Sequence, residues 1–205
     1  MTKDVLVFVE QRDGVFLPAA LQCLTAAAEL AGRTGGRVAA ALIGSGLAPL
    51  ADDVAQAGVA AVYLCDAEAL AKYNALTYSR ALADIIVKSD PQVVLMAASF
   101  MGRDLSPRVA IRLDAGLATD CTALKIGEHG ALVASRPVFN GKATNQVHFN
   151  PKKLQIASVR PNMFTAPPPA DGAGAERIDV PFVADAGDAR QITRWRAMSC
   201  HGRQI

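Results

Sequence analysis

VVLMAAS, residues 93–99, is the most apolar short run in the chain, and the charged stretch GRDLSPRVAIRLDAGLATD, residues 102–120, follows almost at once. Too short for a helix and preceded by Pro91, the run reads as a strand buried on both faces. Toward the N-terminus, AVYLCD (61–66), VAAALIGSG (38–46) and VLVFVE (5–10) have the same character. Helical patterns separate them. After Pro18, the residues Leu17, Leu21, Leu24, Ala28 and Ala31 recur every three or four positions, and TGGR (34–37) suits a left-handed helix stop. Pro49 opens a short helix ending near Gly58, and Tyr78, Leu82, Ile85 and Ile86 mark another, closed by SDP (89–91). Strand and helix alternating in this way predict right-handed crossovers and a parallel sheet covered by helices on both faces.

After residue 120 the rhythm changes. CTALKI (121–126), ALVASRPV (131–138), ATNQVHF (143–149) and KLQIASVR (153–160) are short strand-like pieces, and EHG (128–130) and FNGK (139–142) suit hairpin turns. This half is expected to pair antiparallel, extending or capping the parallel sheet. LDAGLATD (113–120) is expected to lead into it through a glycine turn flanked by Asp114 and Asp120. APPPADGAGA (166–175) reads as a linker, and RIDVPFV (177–183) and QITRWRA (191–197) as two more strands. The expected fold is α/β, a three-layer sandwich with a mainly parallel sheet and an antiparallel β extension in the second half. No internal repeat is visible.

Composition narrows the function classes. With 205 residues, 51% hydrophobic, and a formal charge of +2, the chain can bury a sizeable core. It is too apolar for a disordered chain and too nearly neutral for a nucleic-acid binder. Cys23, Cys65, Cys121 and Cys200 show no metal-type spacing, and three of them lie in apolar stretches, as reduced core thiols do. The N-terminal apolar run is too short for a signal segment, no run reaches membrane-span length, and a cytoplasmic location is expected.

Candidate chemistry is sparse. Gly44, Ser45 and Gly46 lie between a strand and a helix, where backbone N–H groups could receive a phosphate, but Pro49 and Leu50 interrupt the full dinucleotide fingerprint. A tight strand-to-helix turn is the simpler reading. His129, His148 and His201 fall in a turn, a strand and the tail, so no metal site is expected. Ser99 follows a strand, yet ASFMG lacks the glycine that a nucleophile elbow places two residues earlier. Catalytic residues are therefore none.

The charged stretch itself reads first as scaffold. Asp104 or Ser106 can cap a helix whose first turn tolerates Pro107, with Leu105, Val109 and Leu113 on one buried face and Asp104 four residues before Arg108. Arg103 is different, because it falls at the sheet edge where open α/β folds bind ligands. Arg103, Arg108, Arg112 and Arg136 are candidates for meeting an acidic partner surface, though Arg108 and Arg112 fit a solvated helix face equally well. An adenine-nucleotide site built from Gly44, Ser45, Gly46, Ser99 and Arg103 is the alternative.

GRDLSPRVAIRLDAGLATDCTAL (102–124), RPVFNGKATNQV (136–147) and VRPNMF (159–164), in this order and spacing, resemble the N-terminal domain of the electron transfer flavoprotein alpha subunit. The resemblance covers roughly residues 3–195. It implies an adenine-nucleotide-hydrolase-like α/β domain that acts as an assembly scaffold and pairs with a beta subunit. It further implies an electron carrier, not an enzyme, whose FAD takes electrons from acyl-CoA and related dehydrogenases and passes them to a membrane quinone oxidoreductase, as in fatty acid beta-oxidation. In that family the FAD lies mainly in a C-terminal domain opened by a Gly-Gly-Arg-Gly-type turn. No such turn follows QITRWRA, and TGGR ends a helix instead of opening one. Residues 1–190 are thus expected to form the alpha-subunit N-terminal domain. Residues 191–205 are expected to hold its last strand and the start of a linker to a FAD domain outside this chain, and no cofactor is expected on this portion alone.

Overall fold

The computed structural model describes residues 2–168 and 174–184. Strand β1 (Val5–Phe8) is followed by a small hairpin, β2 (Gln11–Arg12) and β3 (Val15–Phe16), and by helix α1 (Pro18–Thr34). Then come β4 (Val38–Gly44), α2 (Ala48–Ala55), β5 (Ala61–Asp66), α3 (Ala75–Ser89), β6 (Val93–Ala97) and α4 (Phe100–Arg112). The remainder consists of β7 (Gly116–Cys121), β8 (Ala123–Ile126), β9 (Leu132–Val138), β10 (Ala143–His148), β11 (Gln155–Val159) and β12 (Glu176–Asp179). QITRWRA, Cys200 and His201 lie outside the described residues, as does part of the expected linker.

Seven strands form one sheet in the order β12-β5-β4-β1-β6-β11-β7, and every neighbouring pair is parallel. Burial follows position. All residues of β1, β6 and β11 are buried, whereas the edge strand β12 is mostly exposed. The residues of α1 and α2 pack with Val5, Val7, Leu42 and Leu95 on one face, and those of α3 and α4 pack with Leu6, Phe8, Val94 and Met96 on the other. Alternate side chains of each central strand therefore serve opposite cores. A separate antiparallel sheet, β10-β9-β8, uses the expected turns at 128–130 and 139–142.

Three expectations need correction. KLQIASVR is not part of the antiparallel extension, because its core, β11, runs between β6 and β7 in the parallel sheet. LATD and its neighbours are not a bend but the edge strand β7, while ERID, overlapping the expected strand at 177–183, supplies the opposite edge, β12. The charged stretch also starts its helix earlier than expected. Ser99, not Asp104 or Ser106, is the N-cap, its Oγ accepting the Gly102 N–H at 2.9 Å, and Pro107 lies inside the helix. Pro107 removes the N–H that would meet the Arg103 carbonyl, so a helix beginning after it looks equally good on local grounds. The buried face won, with Met101, Leu105 and Val109 all packed into the core.

Candidate functional site

β1 and β6 are neighbours, yet the chain leaves β1 toward α1 on one face and leaves β6 toward α4 on the other. Connections that diverge in this way open a crevice at the carboxyl ends of the two strands. Here the crevice holds a cleft of about 860 Å³. Glu10, two residues past β1, and Ser99, capping α4, meet inside it, and the Ser99 hydroxyl donates to the Glu10 carboxylate. Glu10 is only 7% exposed. Burial pushes its carboxyl above the usual range, against the opposing pull of the Ser99 hydroxyl and the nearby Arg12. Ser99 Oγ is thus occupied on both sides, as acceptor from Gly102 and donor to Glu10. Among the described residues neither His129 nor His148 joins the cleft lining as a base.

Beyond Ser99, the cleft continues along Arg103 to Pro161 and Asn162. There the three sequence stretches that carry the family resemblance come together around one carboxylate. Asp120, the penultimate residue of β7, has a left-handed conformation, φ 58°, beside a register shift against β11, and its N–H donates to the buried Ser158 hydroxyl at 3.0 Å. This turns its side chain toward Arg160, whose Nε and Nη2 donate to the two carboxylate oxygens at 3.1 and 2.6 Å. Arg103 approaches the same carboxylate at 3.7 Å. Arg136 donates through Nη1 to Thr119 at 3.3 Å, one residue before Asp120. The hydrogen bonds of Arg160, with the charges of Arg160, Arg103 and Arg136, hold the Asp120 carboxyl below its ordinary range despite some burial.

The other predicted residues fall into quieter places. Arg108 pairs with Asp104 at 3.0 Å, as the i,i+4 spacing implied, and Asp104 also accepts from the Tyr73 hydroxyl at 2.7 Å. Gly44, Ser45 and Gly46 form the β4–α2 turn and do not line the cleft. Their backbone donors already have an anion. The Asp66 carboxylate, at the end of β5, accepts from Gly46 N–H and Leu47 N–H, each at 2.8 Å. Asp66 thus caps α2 from a neighbouring strand and stands where a phosphate would need to be.

A flavin nucleotide requires a cradle for its pyrophosphate, and two of the helix N-termini are already met by the chain's own carboxylates. The α2 terminus holds Asp66, the α4 terminus faces Glu10, and Gly35, with φ 70°, closes α1 instead of opening a helix. Among these residues no three His, Cys, Asp or Glu side chains come together as a metal-ligand group, and no helix is long and apolar enough to cross a membrane. Cys23, Cys65 and Cys121 are free and buried, and burial pushes the Cys23 thiol up to about 12, far from thiolate chemistry.

Residues 5–186 match the electron transfer flavoprotein domain. The chain belongs to the electron transfer flavoprotein family. Similar proteins include the electron transfer flavoprotein subunit alpha of Thermoanaerobacterium thermosaccharolyticum, 38% identical over 79% of this chain and 49% of that protein. They also include protein FixB of Clostridium saccharobutylicum, 35% identical over 79% and 48%. A third is the lactate dehydrogenase (NAD(+),ferredoxin) subunit LctC of Acetobacterium woodii, 33% identical over 88% and 41%. This family member spans about half the length, or somewhat less, of the curated relatives it matches. Within it the Arg103, Arg136 and Arg160 cluster occupies parts of all three stretches that pointed to the family. Asp120 and Arg160 were missed as site residues by sequence reading. Their only signal was the recurrence of single charged residues within otherwise apolar or turn-forming pieces.

Proposed function

We propose that this chain is the N-terminal α/β domain of an alpha-type electron transfer flavoprotein subunit and serves as an assembly scaffold. It pairs with a beta-type subunit, and the FAD of the pair is held mainly by residues beyond those described. The complex carries electrons in the cytoplasm from acyl-CoA or related dehydrogenases to an acceptor such as a membrane quinone oxidoreductase. The carrying observation is the family match across residues 5–186. Supporting it, two helix N-termini at the sheet's carboxyl edge, those of α2 and α4, face the chain's own carboxylates, as suits a domain that organises a cofactor without holding it. Co-expression with a cognate beta-type subunit followed by size exclusion tests the reading. Co-elution of the two chains is expected, and their persistent separation would sink it.

The alternative, a stand-alone adenine-nucleotide module, draws on the size of the cleft and on Ser99 and Arg103 at its wall. Titration calorimetry of the chain with AMP, ATP and FAD separates the two. Saturable heat below millimolar ligand would favour the nucleotide module, and its absence is expected.

A further inference from the structure

The cluster at Asp120 is unbalanced. Arg160 and Arg103 lie within ion-pair distance of one carboxylate, Arg136 adds its charge from farther away, and Arg160 alone already spans both oxygens. Arg103 reaches it only at 3.7 Å, outside hydrogen-bond range, and its side chain remains 59% exposed. Arg136 spends one nitrogen on Thr119, while its buried Nε finds no partner among the described atoms. Arg103, on the cleft wall, and Arg136 are thus left with guanidinium donors that Asp120 does not take.

Apolar side chains stand exposed beside them. Phe100, one turn before Arg103 on α4, is 94% exposed, and Val15, across the cleft, is 69% exposed. Phe139, in the turn after the strand that carries Arg136, is 80% exposed. Arginine beside exposed aromatic and aliphatic groups is the composition of a protein interface core. A free anion would satisfy the guanidiniums and leave these apolar groups in water. An apolar partner alone would strand the charges.

We propose that Arg103 and Arg136, braced around Asp120, form the receiving site for a carboxylate on a partner protein, an acidic side chain set among apolar neighbours. The proposal rests on the pairing with a beta-type subunit and assigns that pairing a surface and a chemistry. Asp120 acts as a positioning residue. It holds Arg160 rigidly, and the rigid pair keeps Arg103 aimed outward while limiting mutual repulsion among the three cations.

Affinity of the full chain for a cognate beta-type subunit, measured at low and high salt, tests this. Arg103→Gln and Phe100→Ser change exposed side chains, and matched thermal melts would verify their folds. Each is expected to weaken binding by roughly tenfold or more, and Arg103→Gln also to flatten the salt dependence. Arg108→Gln, whose partner is Asp104, is expected to stay within about twofold of the parent. Binding by the parent that neither Arg103→Gln nor Phe100→Ser alters would overturn the site and leave the pairing intact. No binding by the parent would overturn both. Saturable binding of inorganic phosphate that Arg103→Gln abolishes, with partner affinity unchanged, would assign the cluster to a free anion and overturn the proposal.

Discussion

The two halves of the sheet's carboxyl edge each place an aspartate at a strand end, with opposite results. On the β4–β5 side, Asp66 meets two backbone N–H groups and nothing is left over. On the β11–β7 side, Asp120 meets more guanidinium than one carboxylate can neutralise. The first is a closed cap that stabilises the chain's own helix. The second is a partly exposed cluster that carries a net positive charge. The same residue type, in equivalent positions at strand ends, thus separates structure from recognition by counting donors.

The sharpest break in this comparison comes from the glycines that set the two edges. A Cβ on Gly102 would lie 1.9 Å from the Ala97 carbonyl oxygen, a backbone atom that cannot yield. Gly102→Ala would lift α4 from β6 and carry Arg103 away from Asp120, at a cost of more than about 2 kcal/mol. A Cβ on Gly44 would instead meet the flexible end of Gln11 at 2.5 Å, with Leu47 Cδ2 at 3.0 Å. Gly44→Ala is expected to cost about 1 kcal/mol or less. Chemical denaturation of the two variants side by side measures both, and equal losses would show that the edges are not held differently.

The aspartates come next. Asp120→Asn keeps a side chain that tolerates the left-handed backbone but removes the charge that offsets Arg160 and Arg103, for a loss of about 1–2 kcal/mol after allowance for their partial exposure. Asp66→Asn keeps one acceptor for two N–H groups and is expected to cost about 1 kcal/mol. The pH profile of the Asp120 variant is informative too. Asp120 has its carboxyl lowered in the folded state, so its contribution is complete above the unfolded value of about 4 and is lost as pH falls through the folded one. Asp120→Asn should therefore flatten the acid limb of the stability profile. The limb will not vanish, because Asp104, lowered first by the Tyr73 hydroxyl and then by Arg108, contributes in the same direction.

What could be read from the sequence follows the same division. The parallel strands before α4 and the helices between them were legible because buried parallel strands are continuous apolar runs and the helices carry prolines and a glycine stop, whereas the two-residue strands of the β2–β3 hairpin leave no such run. β11 was assigned to the wrong sheet because its buried residues include Gln155 and Ser158, polar side chains that read as a half-exposed strand. Each is buried for a tertiary reason. Gln155 Oε1 accepts the Leu132 N–H at 2.5 Å, and Ser158 holds the Asp120 N–H. The candidate site was half legible. Arg103, Arg136 and Ser99 stand out by position, while Asp120, Arg160 and Glu10 acquire a role only when strands far apart in sequence become neighbours.

Glu10 lies between the two edges, and its replacement is the finest test of how they differ. Burial raises its carboxyl, so the folded state holds the proton more tightly than the unfolded chain does. Stability contributed by Glu10 is therefore fullest below the unfolded value of about 4.3 and declines as pH rises through the higher folded value. Glu10→Gln removes the ionisation yet keeps an oxygen to accept the Ser99 hydroxyl. It should melt above the parent at pH 7 by about a degree or two, with the difference shrinking toward zero near pH 4. A lower melting temperature at pH 7 would mean that the negative charge is itself engaged, with Arg12 the nearest candidate. The cleft floor would then resemble Asp120, a carboxylate held in place by cations, and would belong with the open edge, not the closed one.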